Sequence, residues 1–246
     1  MRIQLQPAFV LHSRHYRDTS TLLEVLTAQH GRIGLIAKGA RRTVKGRSAG
    51  AILQPFIPLL LSFTGRGELK TITASEVAGE SSVLKGDRLF SGLYLNELLV
   101  RLLHRNDPHP GLFIAYGKAV ADLGGDDPLD DILRRFEFSL LEELGYSFDL
   151  EVDGHNGEAI RENGWYYYHQ EFGLVEQRST GGSSQPVFSG ADLLAISRGE
   201  RSQNISQALK RLLRVALAGH LGDKPLKSRD LFRRSVAGVA SPGDNS

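Results

Sequence analysis

Five apolar, β-branched runs fall within the first eighty residues, each set off by turn residues. They are Ala8–Ser13, Thr21–Thr27, Gly31–Ala37, Ile52–Phe63 and Leu69–Val77. Short strands at this spacing fit a small closed or partly open barrel. The five-stranded OB-type barrel is the leading candidate, and an SH3-like barrel fits the same pattern. Pro55 and Pro58 interrupt the fourth run. Proline has no N–H for a ladder, so that strand must start late, bulge or lie on an edge.

The pattern changes after Ser81-Ser82. Leu89–His104 carries apolar residues three and four apart and reads as a mostly buried helix. Asn106-Asp-Pro-His-Pro110 breaks it. A second helix runs from Leu112 to Leu123 and stops at Gly124-Gly125, and a third runs from near Pro128 to Leu144. From Tyr146 the helical period is lost. Phe148–Asp153 alternates, and Trp165–His169 and Gly173–Glu176 have strand composition. Ser189 or Asp192 can cap a short helix through Ile196, Asn204–Leu221 is amphipathic, and Ser228 can cap a last helix through about Val236. The expected architecture is α+β: an OB-fold barrel over 1–80, then an all-α helical domain over 81–240. The latter contains a small, weakly packed β insert at about 147–185, and a frayed tail spans 241–246.

Charge is unevenly spread. Up to Glu80 there are 11 Lys and Arg against 5 Asp and Glu, a net of +6, and the remainder carries −4. The densest stretch, Lys38–Arg47, holds five cations, two glycines and no acid between two strands. A solvated loop of that density suits phosphates, whose neutralisation releases condensed counterions. The candidate nucleic-acid contacts are Arg14, Arg17, Lys38, Arg41, Arg42, Lys45, Arg47 and Arg66. Phe9, Tyr16, Phe56 and Phe63 are candidate base-stacking rings, although Phe9, Phe56 and Phe63 are better placed as barrel core and Tyr16 as the exposed ring. Ten bases against three acids crowd Arg198–Arg234; cations there also offset helix dipoles.

Other chemistries find little support. With no cysteine, disulfides, thiolate nucleophiles and Cys-ligated metals are excluded. Asp126, Asp127, Asp130 and Asp131 form an acidic cluster that would suit divalent cations in a nuclease, but acids at a helix start more simply offset its exposed N–H groups. The eight histidines show no metal-binding spacing, and neither a phosphate-binding Gly-rich loop nor a Gly-x-Ser-x-Gly elbow occurs. No enzyme activity, cofactor or metal is expected. The opening residues lack a signal peptide, and the longest apolar stretch, Phe56–Phe63, is too short to span a bilayer. A soluble, cytoplasmic protein is expected.

Ala8–Arg14, Leu35–Arg42 and Leu53–Phe56 together resemble the N-terminal domain of the bacterial recombination mediator family RecO. Ser91–Leu98, Leu133–Glu137, Leu144–Tyr146 and Lys224–Phe232 extend the resemblance in the same order through most of the chain. It implies an OB-fold followed by a helical domain, and a nucleoid-associated role in DNA repair and homologous recombination. Such proteins bind single- and double-stranded DNA and anneal complementary strands. They act with RecR, and often RecF, to load recombinase onto DNA covered by single-stranded-DNA-binding protein. The resemblance places Lys38, Arg41 and Arg42 on the family's basic loop. It places Arg134 and Arg135 where the acidic, Phe-ending tail of the single-strand-binding protein is received, with Leu133, Phe136 and Leu140 as groove walls or core. Lys227 and Arg229, in the last motif, are further partner-binding candidates. Many members carry a Cys-rich zinc site in the insert; here that insert must hold itself by packing, through Trp165 and Tyr166–Tyr168. A metal-dependent nuclease and a structural RNA-binding OB module are the alternatives.

Overall fold

The structure, a computed structural model, describes residues 2–44, 47–48, 50–81, 83–178 and 185–231. The first strands are β1 (Arg2–Tyr16), β2 (Ser20–Thr27) and β3 (Gly31–Ala37). A two-residue hairpin within the basic loop, β4 (Thr43–Val44) and β5 (Arg47–Ser48), was not foreseen from the sequence. β6 (Pro58–Thr64) and β7 (Leu69–Val77) complete a closed barrel in the order β1-β2-β3-β7-β6. β6 returns antiparallel to β1, and β7 runs parallel to β3, with Gly34 beside Leu69 and Ile36 beside Thr71. This is the closure of an OB barrel. The fourth large strand does start late, at Pro58, as its prolines require.

β1 serves two neighbours and bends to do so. Its register against β6 slips between Ile3 and Gln6, where Leu5 adopts a φ of 50°. The Leu5 N–H, removed from the ladder, donates to Ser62 Oγ at 3.1 Å. Inward-facing Val10, Leu23, Val25, Ile33, Leu35, Leu59, Leu61 and Phe63 fill the barrel. The β2–β3 turn depends on Gly31, whose φ is 62° and whose Cβ position would fall 2.0 Å from the Asp107 carbonyl oxygen.

Helices α1 (Gly86–Leu102), α2 (Pro110–Leu123) and α3 (Leu129–Glu143) follow. Buried Asn96 on α1 donates to the Leu11 carbonyl at 2.9 Å and accepts from the Tyr116 hydroxyl of α2 at 2.6 Å. Burial raises the Tyr116 pKa, so that hydroxyl remains a donor. Phe9 packs against Phe113 and Tyr116, with ring centroids 5.5 and 5.1 Å away. The chain gathers into two compact units, Met1–Leu129 with the segment from Pro225, and Asp130–Lys224. The change of secondary structure after Ser81 does not coincide with that division, because α1 and α2 gather with the barrel.

The second unit adds β8 (Trp165–His169), β9 (Gly173–Glu176), β10 (Val187–Ser189), α4 (Gly190–Ser197) and α5 (Gln203–Leu221). The strands form one sheet in the order β10-β8-β9. Ser189 Oγ accepts from Asp192 N at 3.1 Å and caps α4, and Ser202 Oγ accepts from Ile205 N at 3.3 Å and caps α5. The strand expected over Phe148–Asp153 is reduced to a single bridge between Val152 and Ala159. Residues 228–231 are helical, and the rest of the expected last helix and the 241–246 tail lie outside the described residues.

Two expectations about the insert need correction. Its packing is not weak, since Tyr166, Leu174 and Phe188 are fully buried. Nor does Trp165 hold it: strand alternation sends Tyr166 and Tyr168 inward and leaves Trp165 55% exposed. The 151–160 loop closes instead on buried Asp153. One carboxylate oxygen accepts from His155 N at 2.8 Å and Asn156 N at 3.4 Å, and the other accepts from Glu176 N on β9 at 2.8 Å. A thiolate zinc site does not fit these residues; hydrogen bonds to one carboxylate tie loop to strand. Asp153→Ala strands those N–H groups and is expected to destabilise the protein by roughly 2–4 kcal/mol in urea unfolding. A chelator is expected to leave the wild-type transition unmoved.

Candidate functional site

The basic loop begins where β3 ends. Gly39, with φ 68°, lets the chain turn back, and Arg42 N donates to the Gly39 carbonyl at 2.9 Å. The adjacent arginines then diverge in role. Arg41 N donates to the Thr19 carbonyl at 3.1 Å and its guanidinium to the Asp18 carbonyl at 3.2 Å, so Arg41 fastens this loop to the β1–β2 turn. Arg42 instead faces a recess of about 360 Å³, which Arg17, Lys38, Thr19, Ser20, Ile36 and Gly39 also line. Three cations and two hydroxyls converge there, and no carboxylate lines the recess among the described residues. That donor set suits an oxyanion such as a phosphodiester.

The remaining candidates sort by position. Arg17 adopts a φ of 52° and lies over the Tyr16 ring at 5.2 Å. Arg14, Leu22 and Ile36 occupy one cross-strand row, so exposed Arg14 shares the outer face with a recess-lining residue. Arg66 is exposed, but the β3–β7 register carries its turn toward the Gly31 end of β3, away from Lys38. Lys45 lies outside the described residues, and only the backbone of Arg47 is described. Phe9, Phe56 and Phe63 are buried in the core, whereas Tyr16 is half-buried at the surface.

A second candidate site lies in the unit from Asp130 to Lys224. The wall residues suggested by the resemblance are corrected here. Leu133, Phe136 and Leu140 are buried on the core face of α3. The opposite face presents Asp131, Arg134, Arg135 and Phe138, three and four residues apart, to a groove of about 250 Å³. Its apolar walls are Phe138, Ile196, Ile205 and Leu209, and Arg201 joins the two arginines at its edge. Ile205 and Leu209 lie on the apolar side of amphipathic α5 and are half-buried at the groove. Arg134 is 11% exposed and committed to Glu137, a 1% exposed carboxylate 2.7 Å away. Arg135 is exposed, and Arg201 is paired with Asp131 at 2.7 Å.

Two family models match the chain, "Recombination protein O N terminal" over residues 1–80 and "Recombination protein O C terminal" over 84–230. The chain belongs to the RecO family. It is 47% identical over 236 residues to the DNA repair protein RecO of Methylococcus capsulatus, covering 95% of each chain. To that of Nitrosococcus oceani it is 48% identical over 233 residues, covering 94% of each. To that of Haemophilus influenzae strain 86-028NP it is 42% identical over 237 residues, covering 96% of this chain and 98% of the other. RecO is a family of DNA repair and recombination.

Within the RecO C-terminal match, the Lys227–Arg229 segment is clasped by Glu97 of α1. One Glu97 oxygen accepts from Lys227 N at 2.9 Å, and the other accepts from Ser228 N and Oγ at 2.8 and 2.7 Å. Lys227 and Arg229 themselves remain exposed. Burial pushes the Glu97 pKa up, but the Ser228 and Lys227 hydrogen bonds and the Arg101 charge outweigh it and hold the pKa below the ordinary value. A depressed folded-state pKa makes this contribution complete above the ordinary carboxylate range and lost as pH falls through the folded value. Amide protection of Ser228 is therefore expected to fall on acidification, and Glu97→Gln is expected to flatten that dependence in hydrogen-exchange measurements.

Two carboxylates of the acidic cluster, those inside α3, are engaged in ion pairs. Asp131 meets Arg201, and Asp130 meets Lys210 of α5 at 3.3 Å. Among the described residues, no group of three or more His, Asp or Glu could hold a metal ion. No described helix is long and apolar enough to cross a membrane.

Proposed function

We propose that this RecO-family chain acts as a recombination mediator. It binds single- and double-stranded DNA at the barrel, anneals complementary strands, and helps load recombinase onto DNA covered by single-stranded-DNA-binding protein. The observation that carries this reading is the acid-free recess of Arg17, Lys38 and Arg42. Phosphates entering it release counterions without any base being read, which suits a protein that must accept any sequence. Neutralised strands repel one another less, and that favours pairing.

The groove beside Arg135 takes the acidic C-terminal tail of single-stranded-DNA-binding protein. Phe138, Ile196, Ile205 and Leu209 receive the terminal phenylalanine, and Arg135 and Arg201 face its carboxylates. Holding a coated strand and a bare strand on one chain raises their mutual concentration. RecR, and often RecF, are the further protein partners that family resemblance supplies, and exposed Lys227 and Arg229 offer them cations.

Strand annealing of labelled complementary oligonucleotides tests the reading. Bare strands are expected to anneal faster with the protein present. Strands coated with the single-strand-binding protein are expected to anneal only when its tail is intact. Absence of annealing in low salt overturns the proposal. Cleavage of the strands with Mg²⁺ would favour the nuclease alternative, and preference for RNA over DNA of the same sequence would favour the RNA-binding one.

A further inference from the structure

The insert sheet carries a stripe of rings on its outer face. Strand alternation turns Trp165, Tyr167 and His169 of β8 away from buried Tyr166 and Tyr168. Phe172, in the β8–β9 turn, stacks on His169 at 4.9 Å, and His155 meets Phe172 edge-on at 5.3 Å. Buried Val175 and half-buried Val187 sit opposite Tyr167 on the neighbouring strands and give the face its apolar floor. Trp165 and Phe172 are 55% and 44% exposed. His155 is exposed as well, and Tyr167 and His169 are half-buried between the exposed ends of the stripe; exposed rings along one face mark a contact surface.

Charge decides what the surface contacts. From Ser147 to Arg178 there are seven acids and two arginines, a net of −5. Both arginines pair with Glu176, and Asp153 is buried under its N–H donors. Asp149, Glu151, Glu158, Glu162 and Glu171 remain exposed, with no ion pair to a cation among the described residues. Stacked bases would bring phosphates against this uncompensated negative charge, so the rings do not form a second nucleic-acid platform.

We infer that the outer face of the insert docks a basic protein segment, whose Lys and Arg side chains lie over Trp165, Tyr167 and Phe172 and pair with exposed carboxylates of the insert. A cation above an aromatic face is attracted by the ring quadrupole, and a nearby carboxylate strengthens the same contact. The partner is basic where DNA is acidic, so the two ligands belong to different parts of the chain.

Trp165 is the chain's one tryptophan, so its emission reads this face directly. The full chain would be titrated with a synthetic peptide of alternating Arg and Leu, with its Glu-for-Arg counterpart, and with oligo(dT). A saturable blue shift is expected with the basic peptide alone. Affinity is expected to fall about ten-fold in Glu162→Lys with Glu171→Lys, and again in Tyr167→Ala with Phe172→Ala, while annealing of bare strands is unchanged. No shift with the basic peptide overturns the proposal. So does an equal shift with oligo(dT), which would mark a base-stacking face, and so does undiminished peptide binding by the charge-reversed variant.

Discussion

Arg134→Ala is expected to lower the unfolding free energy of the chain by about 3–5 kcal/mol, whereas the neighbouring Arg135→Glu leaves the urea transition nearly in place. The two arginines share a sequence motif but not an environment. The Arg134 guanidinium sits 2.7 Å from Glu137, whose side chain is 1% exposed. Truncating Arg134 removes this ion pair from a buried carboxylate, at the high cost that accompanies a broken buried pair. Replacing both members, as Arg134→Met with Glu137→Leu, is expected to recover most of the loss because neither charge then needs compensation. Arg135 lies exposed at the groove edge beside Phe138, so its reversal bears directly on a ligand held there. In fluorescence anisotropy with a labelled acidic peptide ending in Phe, Arg135→Glu is expected to weaken binding at least ten-fold, a change of about 1.4 kcal/mol. DNA affinity is expected to stay within about two-fold. Equal loss of peptide and DNA binding would refute a separate tail site.

The contrast between these neighbours marks where sequence reading stops. The helical period of α3 was legible, but whether Arg134 or Arg135 meets solvent depends on the helix's rotation against its neighbours. Leu133, Phe136 and Leu140 share their motif with the arginines and still belong to the opposite face. The barrel was far more legible: β3 and β7 occupy the expected residues, because period-two alternation and flanking turns act locally. The β4–β5 hairpin was missed because it is two residues per strand and carries no apolar alternation. The expected strand over Phe148–Asp153 failed for the reverse reason. Its alternation is real, but Asp153 turns the chain by accepting N–H bonds from its own loop and from β9.

Lys38→Glu combined with Arg42→Glu is expected to reduce affinity for single-stranded DNA about 25-fold at 0.1 M salt. Each phosphate contact on a single strand releases roughly 0.7 counterion, which is worth about five-fold at that salt concentration, and two contacts multiply. The slope of log K against log salt is expected to become shallower by roughly 0.7 unit per lost contact, equally for oligonucleotides of any sequence. Both side chains line the recess and are exposed, outside the barrel core, so the thermal transition should not move. Arg41→Ala gives the informative comparison. Its side chain donates to the Asp18 carbonyl and its N–H to Thr19, so it shapes the recess from behind. The variant is expected to lose affinity with little change in salt slope, because the loop loosens while the phosphate-facing charges of Arg17, Lys38 and Arg42 persist. A slope unchanged in the Lys38 and Arg42 double variant would move the DNA path off this recess, toward the Arg66 turn at the opposite end of β3.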